Sequence, residues 1–97
     1  MIEYLYNVIR VTHGSTETVA AVLRDDTGAT IREQCHLSIY DGAEHVITIY
    51  GSIVNSVWNF TIPASVSAGL EQGHRYTYCI CDGNDRALCF KQPIYFV

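Results

Sequence analysis

Apolar and polar positions alternate along most of this chain with a period of two, and turn residues break the alternation at regular intervals. VIRVTH (8–13) stops at Gly14. ETVAAVLR (17–24) runs into DDTG (25–28), which reads as a tight turn with Gly28 at positive φ. CHLSIY (35–40), the turn DGA (41–43) and EHVITIYG (44–51) follow as a hairpin. In its first arm Leu37 and Ile39 alternate with His36 and Ser38, as in a half-buried strand. VWNFTIP (57–63) sets Trp58, Phe60 and Ile62 on one face. SVSAGLEQG (65–73) is too short for a core helix and reads as a turn-like crossing. HRYTYCIC (74–81) and ALCFKQPIYFV (87–97) then form the closing hairpin, and Pro93 puts the last strand at an edge or gives it a bulge. About seven to eight short strands at roughly 8–12-residue spacing predict an all-β fold, a single Ig-like antiparallel β-sandwich over residues 8–97.

The stretch YTYCICDGNDRALCFK (76–91) allows a register to be drawn. A three-residue loop, Gly83 to Asp85, pairs Asp82 with Arg86, Cys81 with Ala87, Ile80 with Leu88, Cys79 with Cys89 and Tyr78 with Phe90. Tyr76, Tyr78, Ile80, Leu88 and Phe90 then share one face, and Cys79, Cys81 and Cys89 the other. The aromatic face carries far more apolar area and is assigned to the core with Trp58, Phe60 and Ile62.

The chain has 97 residues, 48% of them hydrophobic and 16% charged, with a formal charge of −4. Soluble domains carry about 25% charged residues, so the deficit points to surface covered by another chain. The six Lys and Arg residues are scattered singly, and no basic stripe offers a footprint for nucleic acid. No apolar run approaches the ~18–20 residues that span a bilayer, and the opening MIEYLYN lacks the marks of a signal peptide. A start in the reducing cytosol is therefore expected, where structural disulfides are rare. NFT (59–61) fits a glycosylation sequon that means little without secretion. Residues 1–7, with Tyr4, Leu5 and Tyr6, read as an interface arm or added edge strand, or equally as an ordinary first strand.

The order of these signals resembles a β-sandwich family of tailed bacteriophages: the amino-terminal domains of siphophage baseplate upper proteins and related stand-alone virion proteins. The matching pieces are IRVTHGST, VAAVLRDDTGATI, CHLSIYDG, WNFTIP, GLEQGHRYTYCI and the closing IYFV, including the spacing of Leu70, Gly73 and Tyr76. ATIREQCHL departs from the pattern, and the cysteines stand outside it. The resemblance implies Ig-like packing and a structural role in the virion through protein–protein contacts.

Four sets of residues invite chemistry. His13, Ser15 and Glu17 suggest a nucleophile and base, but a glycine turn supplies neither an orienting acid nor an oxyanion hole, so a turn is preferred. His36 and His45 flank one hairpin and could oppose each other as a pH-sensitive or adventitious metal pair, with two solvated strand positions as the plainer reading. Zinc needs four tetrahedral ligands, and C-x-C on a flat strand splays its thiolates poorly. For Cys79, Cys81 and Cys89 a Cys79–Cys89 disulfide is within reach, but reduced thiols covered by a neighbouring subunit are preferred. The seven tyrosines suit a glycan platform or a protein interface.

The sequence thus predicts a non-enzymatic virion protein with no cofactor, metal, nucleic acid or membrane partner. A chain of this length without an appended fibre or receptor-binding domain best fits a head decoration or cement protein on the major capsid protein. A tail, baseplate or connector component is the alternative, and a glycan-binding module a further one. Assembly in the host cytoplasm, with some self-association, is expected.

Overall fold

The computed structural model describes residues 2–5 (as backbone), 8–88 and 91–97. Among them are nine strands and one short helix: β1 (Ile2–Leu5), β2 (Val8–Val11), β3 (Glu17–Ala21), β4 (His36–Asp41), β5 (Glu44–Tyr50), β6 (Ser52–Val54), β7 (Val57–Ile62), α1 (Ala64–Gly69), β8 (Tyr76–Cys81) and β9 (Gln92–Phe96). Two sheets face each other, a six-stranded one in the order β1-β2-β9-β8-β4-β5 and a three-stranded one in the order β3-β7-β6. With β3, β7 and β6 as strands B, E and D, and β4, β5, β8 and β9 as C, C′, F and G, this is an immunoglobulin-like arrangement. Pairing is antiparallel except that β2 runs parallel to β9, Ile9 opposite Ile94 and Val11 opposite Phe96.

Alternation explains the core. Val19 from β3, Trp58, Phe60 and Ile62 from β7, Leu37 and Ile39 from β4, Tyr76, Tyr78 and Ile80 from β8, and Ile94 and Phe96 from β9 are all buried between the sheets. Leu88 packs against them half-buried, while Phe90 and Cys89 lie outside the described residues. Gly51 is required by this packing, because a Cβ there would sit 2.6 Å from the Phe60 ring. At the start of β8, Tyr76 Oη accepts the backbone N–H of Glu71 at 2.9 Å, the tyrosine corner of such sandwiches.

The structure changes or decides five details. First, of the readings of residues 1–7, Ile2–Leu5 takes that of an edge strand of the chain's own sheet: β1 pairs with β2 from Ile2–Val11 to Leu5–Val8, and Tyr4 and Leu5 lie on it. Tyr6 lies outside the described residues. Second, residues 64–69 form a six-residue helix, with Val66 and Ser67 N–H groups donating to the Pro63 carbonyl. Third, His36 stands opposite Tyr50 and His45 opposite Tyr40, so the two histidines do not face each other.

Fourth, the closing hairpin holds its expected register only as far as Leu88. Asp82 N–H donates to the Arg86 carbonyl at 3.0 Å, Cys81 bridges Ala87, and Leu88 N–H donates to Ile80 at 2.8 Å. Further on, Tyr78 pairs with Gln92 rather than Phe90. The returning chain has gained two residues, an even number that preserves which face each side chain takes. Fifth, β9 is interior rather than at an edge, and the geometry shows how Pro93 is tolerated there. Because Leu88 bonds to Ile80, the even-numbered residues of β8 turn their backbone groups toward the returning chain. Pro93 stands opposite Thr77, which turns away, and the ladder with β2 begins one residue later at Ile94.

The edge strand β5 carries a device of its own. Its register against β4 shifts between Ile39 and Tyr40, leaving Val46 as an extra residue. A bulge in an edge strand discourages further pairing.

Candidate functional site

Loops at one end of an immunoglobulin-like sandwich, those joining B to C and F to G, are the ones variable domains use for binding. Here they are residues 22–35 and, among the described residues, 82–88. The first begins as a hairpin extension, with Arg24 bridging Thr30 and Ile31 N–H donating to the Leu23 carbonyl. Its tip is closed by Asp25, whose Oδ1 accepts from Thr27 N (2.9 Å), Thr27 Oγ1 (2.6 Å) and Ala29 N (3.0 Å). These bonds, the Thr27 hydroxyl foremost, hold the Asp25 carboxyl below the usual carboxylate range. Gly28 takes φ +84°, as a turn of this shape requires. The loop is tied to the core by Trp58, whose Nε1–H donates to the Ile31 carbonyl at 2.7 Å.

The second loop is organised the same way by Asp82. Its Oδ1 accepts from Asn84 N (2.9 Å) and Arg86 N (3.0 Å), and the side chain is buried. The backbone bonds from Arg86 and Asn84 lower its pKa against the opposing effect of desolvation.

Between the loops lies an open cleft of about 490 Å³. Ile31 and Leu88 are the apolar side chains on its lining, each half-buried against the core. Its rim carries Arg24, Arg32 and Arg86, three of the six Lys and Arg residues in the chain, together with exposed Asp26 and Glu33. Each of these arginines looks isolated in the sequence. What could have joined them is topology: in an Ig-like sandwich these two loops share one end.

The thiols are elsewhere. Cys79 and Cys81 sit on the face of β8 turned away from the core, opposite Ser38 and His36 of β4. That face was expected to need a neighbouring subunit to cover it. Instead Cys79 and Cys81 are 5% and 6% exposed, and Ser38 3%, within the single chain. Large side chains and a loop shield these small ones: Asp85 reaches over to His36 at 3.3 Å, Tyr50 flanks the His36 ring, and Lys91 lies 3.9 Å over the Tyr40 ring. The two sulfurs are 3.9 Å apart, far beyond the roughly 2.05 Å of an S–S bond. The proposed Cys79–Cys89 pairing falls outside the described residues. Cys35 is fully buried, its thiol pushed up by desolvation and by the nearby Glu33 and Asp82 carboxylates, the opposite of an activated nucleophile. Among the described residues no group of three or more His, Cys, Asp or Glu side chains is placed to hold a metal ion.

The histidines serve as ties. His13 Nε2 lies 3.0 Å from the Leu70 carbonyl, beside the turn in which Ser15 N–H donates to Thr12, so His13, Ser15 and Glu17 belong to a turn and the start of β3. His74 Nε2 lies 2.9 Å from Asp41 Oδ1, and this bond raises its pKa. His45 bonds Thr48 at 2.8 Å on the surface. No family model matches the chain, and neither a curated protein nor a solved structure matches it.

Proposed function

We propose that the protein is a non-enzymatic structural component of a bacteriophage virion that works through protein–protein contacts, preferentially as a decoration or cement protein on the head. The observation that carries this reading is the outward face of the three-stranded sheet. Thr18 and Ala20 of β3, Asn59 and Thr61 of β7, and Ser52 and Val54 of β6 make up its rows, with Val22 just beyond β3. None of these outward residues is charged, and Val22 and Val54 are 56% and 57% exposed. Depletion of charge is what the centre of a protein interface selects. In a chain only 16% charged, this face is where the deficit becomes visible.

The resemblance of the turn order to phage virion sandwiches motivates the choice of particle, and added contact area between capsomers is the mechanism it implies. In the test, the purified protein is mixed with capsids and, separately, with tails of the phage that encodes it, and co-sedimentation is measured. Binding to capsids that is lost in a Val22→Lys, Val54→Lys double variant is the expected result. Binding to tails alone moves the protein to the tail, and binding to neither removes the virion reading.

A further inference from the structure

The cysteine pair of β8 has no part in that reading, and its geometry is not that of parallel neighbours on a strand. Cys79 and Cys81 are two residues apart on one face, so extended backbone separates their Cα atoms by roughly 6.6 Å. Parallel side chains would keep the sulfurs near that spacing, yet they stand 3.9 Å apart. The two side chains therefore lean toward each other, and the splaying expected of C-x-C on a flat strand does not occur. A disulfide would have to draw the sulfurs to about 2.05 Å across Cα atoms near the upper limit of roughly 6.8 Å. A metal ion needs no such movement. A thiolate–metal bond of roughly 2.3 Å lets one ion touch both sulfurs at any separation up to about 4.6 Å.

The donor set selects the ion. Two thiolates are soft ligands and favour ions such as Cu(I). Zinc asks for four ligands, and among the described residues no group of three His, Cys, Asp or Glu side chains is placed to begin such a set. An ion satisfied by two sulfurs is a closed-shell monovalent cation. The position is sheltered, with Cys79 and Cys81 5% and 6% exposed and standing opposite Ser38 and His36. Its cover can lift: the 82–88 loop meets this face where Asp85 reaches His36, and the Asp85 side chain is 88% exposed on a backbone at φ +60°. We propose that Cys79 and Cys81 form a two-coordinate binding site for a soft monovalent cation of the Cu(I) class. Binding exchanges the two thiol protons, which pass to solvent, for one cation held by two sulfur–metal bonds. No electron is transferred, and the complex carries one negative charge on a face that also holds His36 and Lys91. The site is independent of the virion assignment.

In the test, the intact reduced chain is titrated anaerobically with Cu(I) against the chromophoric chelator bicinchoninate, with Ag(I) and Zn(II) as further probes. A single Cu(I) per chain should bind, with a thiolate-to-metal absorption band in the ultraviolet, and Ag(I) should displace it. Zn(II) should bind far more weakly. Cys79→Ser and Cys81→Ser should each abolish the complex, while Cys35→Ala and Cys89→Ser should retain it. Should a serine variant fail to fold, alkylation of the unaltered chain decides the matter. Cu(I) should protect Cys79 and Cys81 from N-ethylmaleimide and leave Cys35 and Cys89 as reactive as before. Absence of Cu(I) binding, zinc held as tightly as Cu(I), survival of the complex in either serine variant, its loss in Cys35→Ala or Cys89→Ser, or protection of other cysteines instead would each overturn the proposal. Capsid binding in the co-sedimentation assay is a separate readout, so either conclusion can fail without the other.

Discussion

The two ends of the sandwich are built on opposite plans. At the end that holds α1, polar groups reach across from one segment to another. Gly14 N–H donates to Ser67 Oγ at 2.6 Å, and Ser67 lies 3.3 Å from the Thr12 carbonyl. His13 meets Leu70, Ala64 N–H meets Thr16 Oγ1, Gly73 N–H meets the Phe96 carbonyl, and His74 meets Asp41. At the other end, Asp25 and Asp82 each spend themselves on their own loop, and the space between the loops stays open. One end is stitched shut between segments, while at the other each loop is closed on itself, the first is tied back by Trp58 and Arg32, and the space between the two loops stays open. The first plan closes a core. The second presents a preorganised surface, since loops fixed in advance lose little freedom when something binds between them.

The contrast breaks most readily at Trp58, the tie that holds the open end to the core. Trp58→Phe removes the 2.7 Å bond to Ile31 and leaves a void and an orphaned carbonyl. A loss of about 2–3 kcal/mol is expected in a urea melt. Hydrogen exchange should quicken first in residues 22–35 rather than around α1. Next comes Ser67, fully buried at the stitched end. Ser67→Ala should cost about 1–2 kcal/mol, because the Gly14 N–H and the Thr12 carbonyl lose their partner together. It should leave the amide pattern of the cleft unchanged. Tyr76→Phe, which deprives Glu71 N–H of its acceptor, should cost about 1 kcal/mol, with extra exchange confined to residues 70–75. If Ser67→Ala disturbs the cleft loops as much as Trp58→Phe does, the two ends are not independent.

What could be read from the sequence follows this same division between local and long-range causes. The DDTG tip, Gly28 and the inward faces of Trp58, Phe60 and Ile62 depend on neighbours in the chain, and all were legible. The hairpin register held through Leu88 for the same reason, and failed at Gln92 because two added residues leave no mark in an alternation of period two. The burial of His36 and Ser38 was missed because alternation assigns polar residues to solvent. In the middle of a six-stranded sheet, small side chains are shielded by larger neighbours and by a loop arriving from β8. The cleft was missed because Arg24, Arg32 and Arg86 meet only through topology. The helix α1 is too short for its period to be recognised.

The smallest expected effect tests the same comparison through pH. Asp25 and Asp82 have folded pKa values below their ordinary 3.8, so the stability they lend the open end is present above that value. It is lost as pH falls through the lowered folded values, because the unfolded chain then binds protons more readily than the native one. His74 is shifted the other way, chiefly by its bond to Asp41, so its folded pKa exceeds 6.5. Its contribution to the stitched end is complete below 6.5 and disappears as pH rises through the raised folded value. Acid should therefore loosen the cleft end and mild alkali the α1 end, each by a modest amount because His74 and Asp25 are exposed enough to be screened. Urea midpoints measured from pH 3 to 9 should fall at both limits. His74→Gln should flatten the alkaline limb alone, and Asp25→Asn with Asp82→Asn the acid limb in part. An alkaline limb that survives in His74→Gln would detach that end's stability from the His74–Asp41 contact and leave the hydrogen bonds of Ser67 and Tyr76 to account for it.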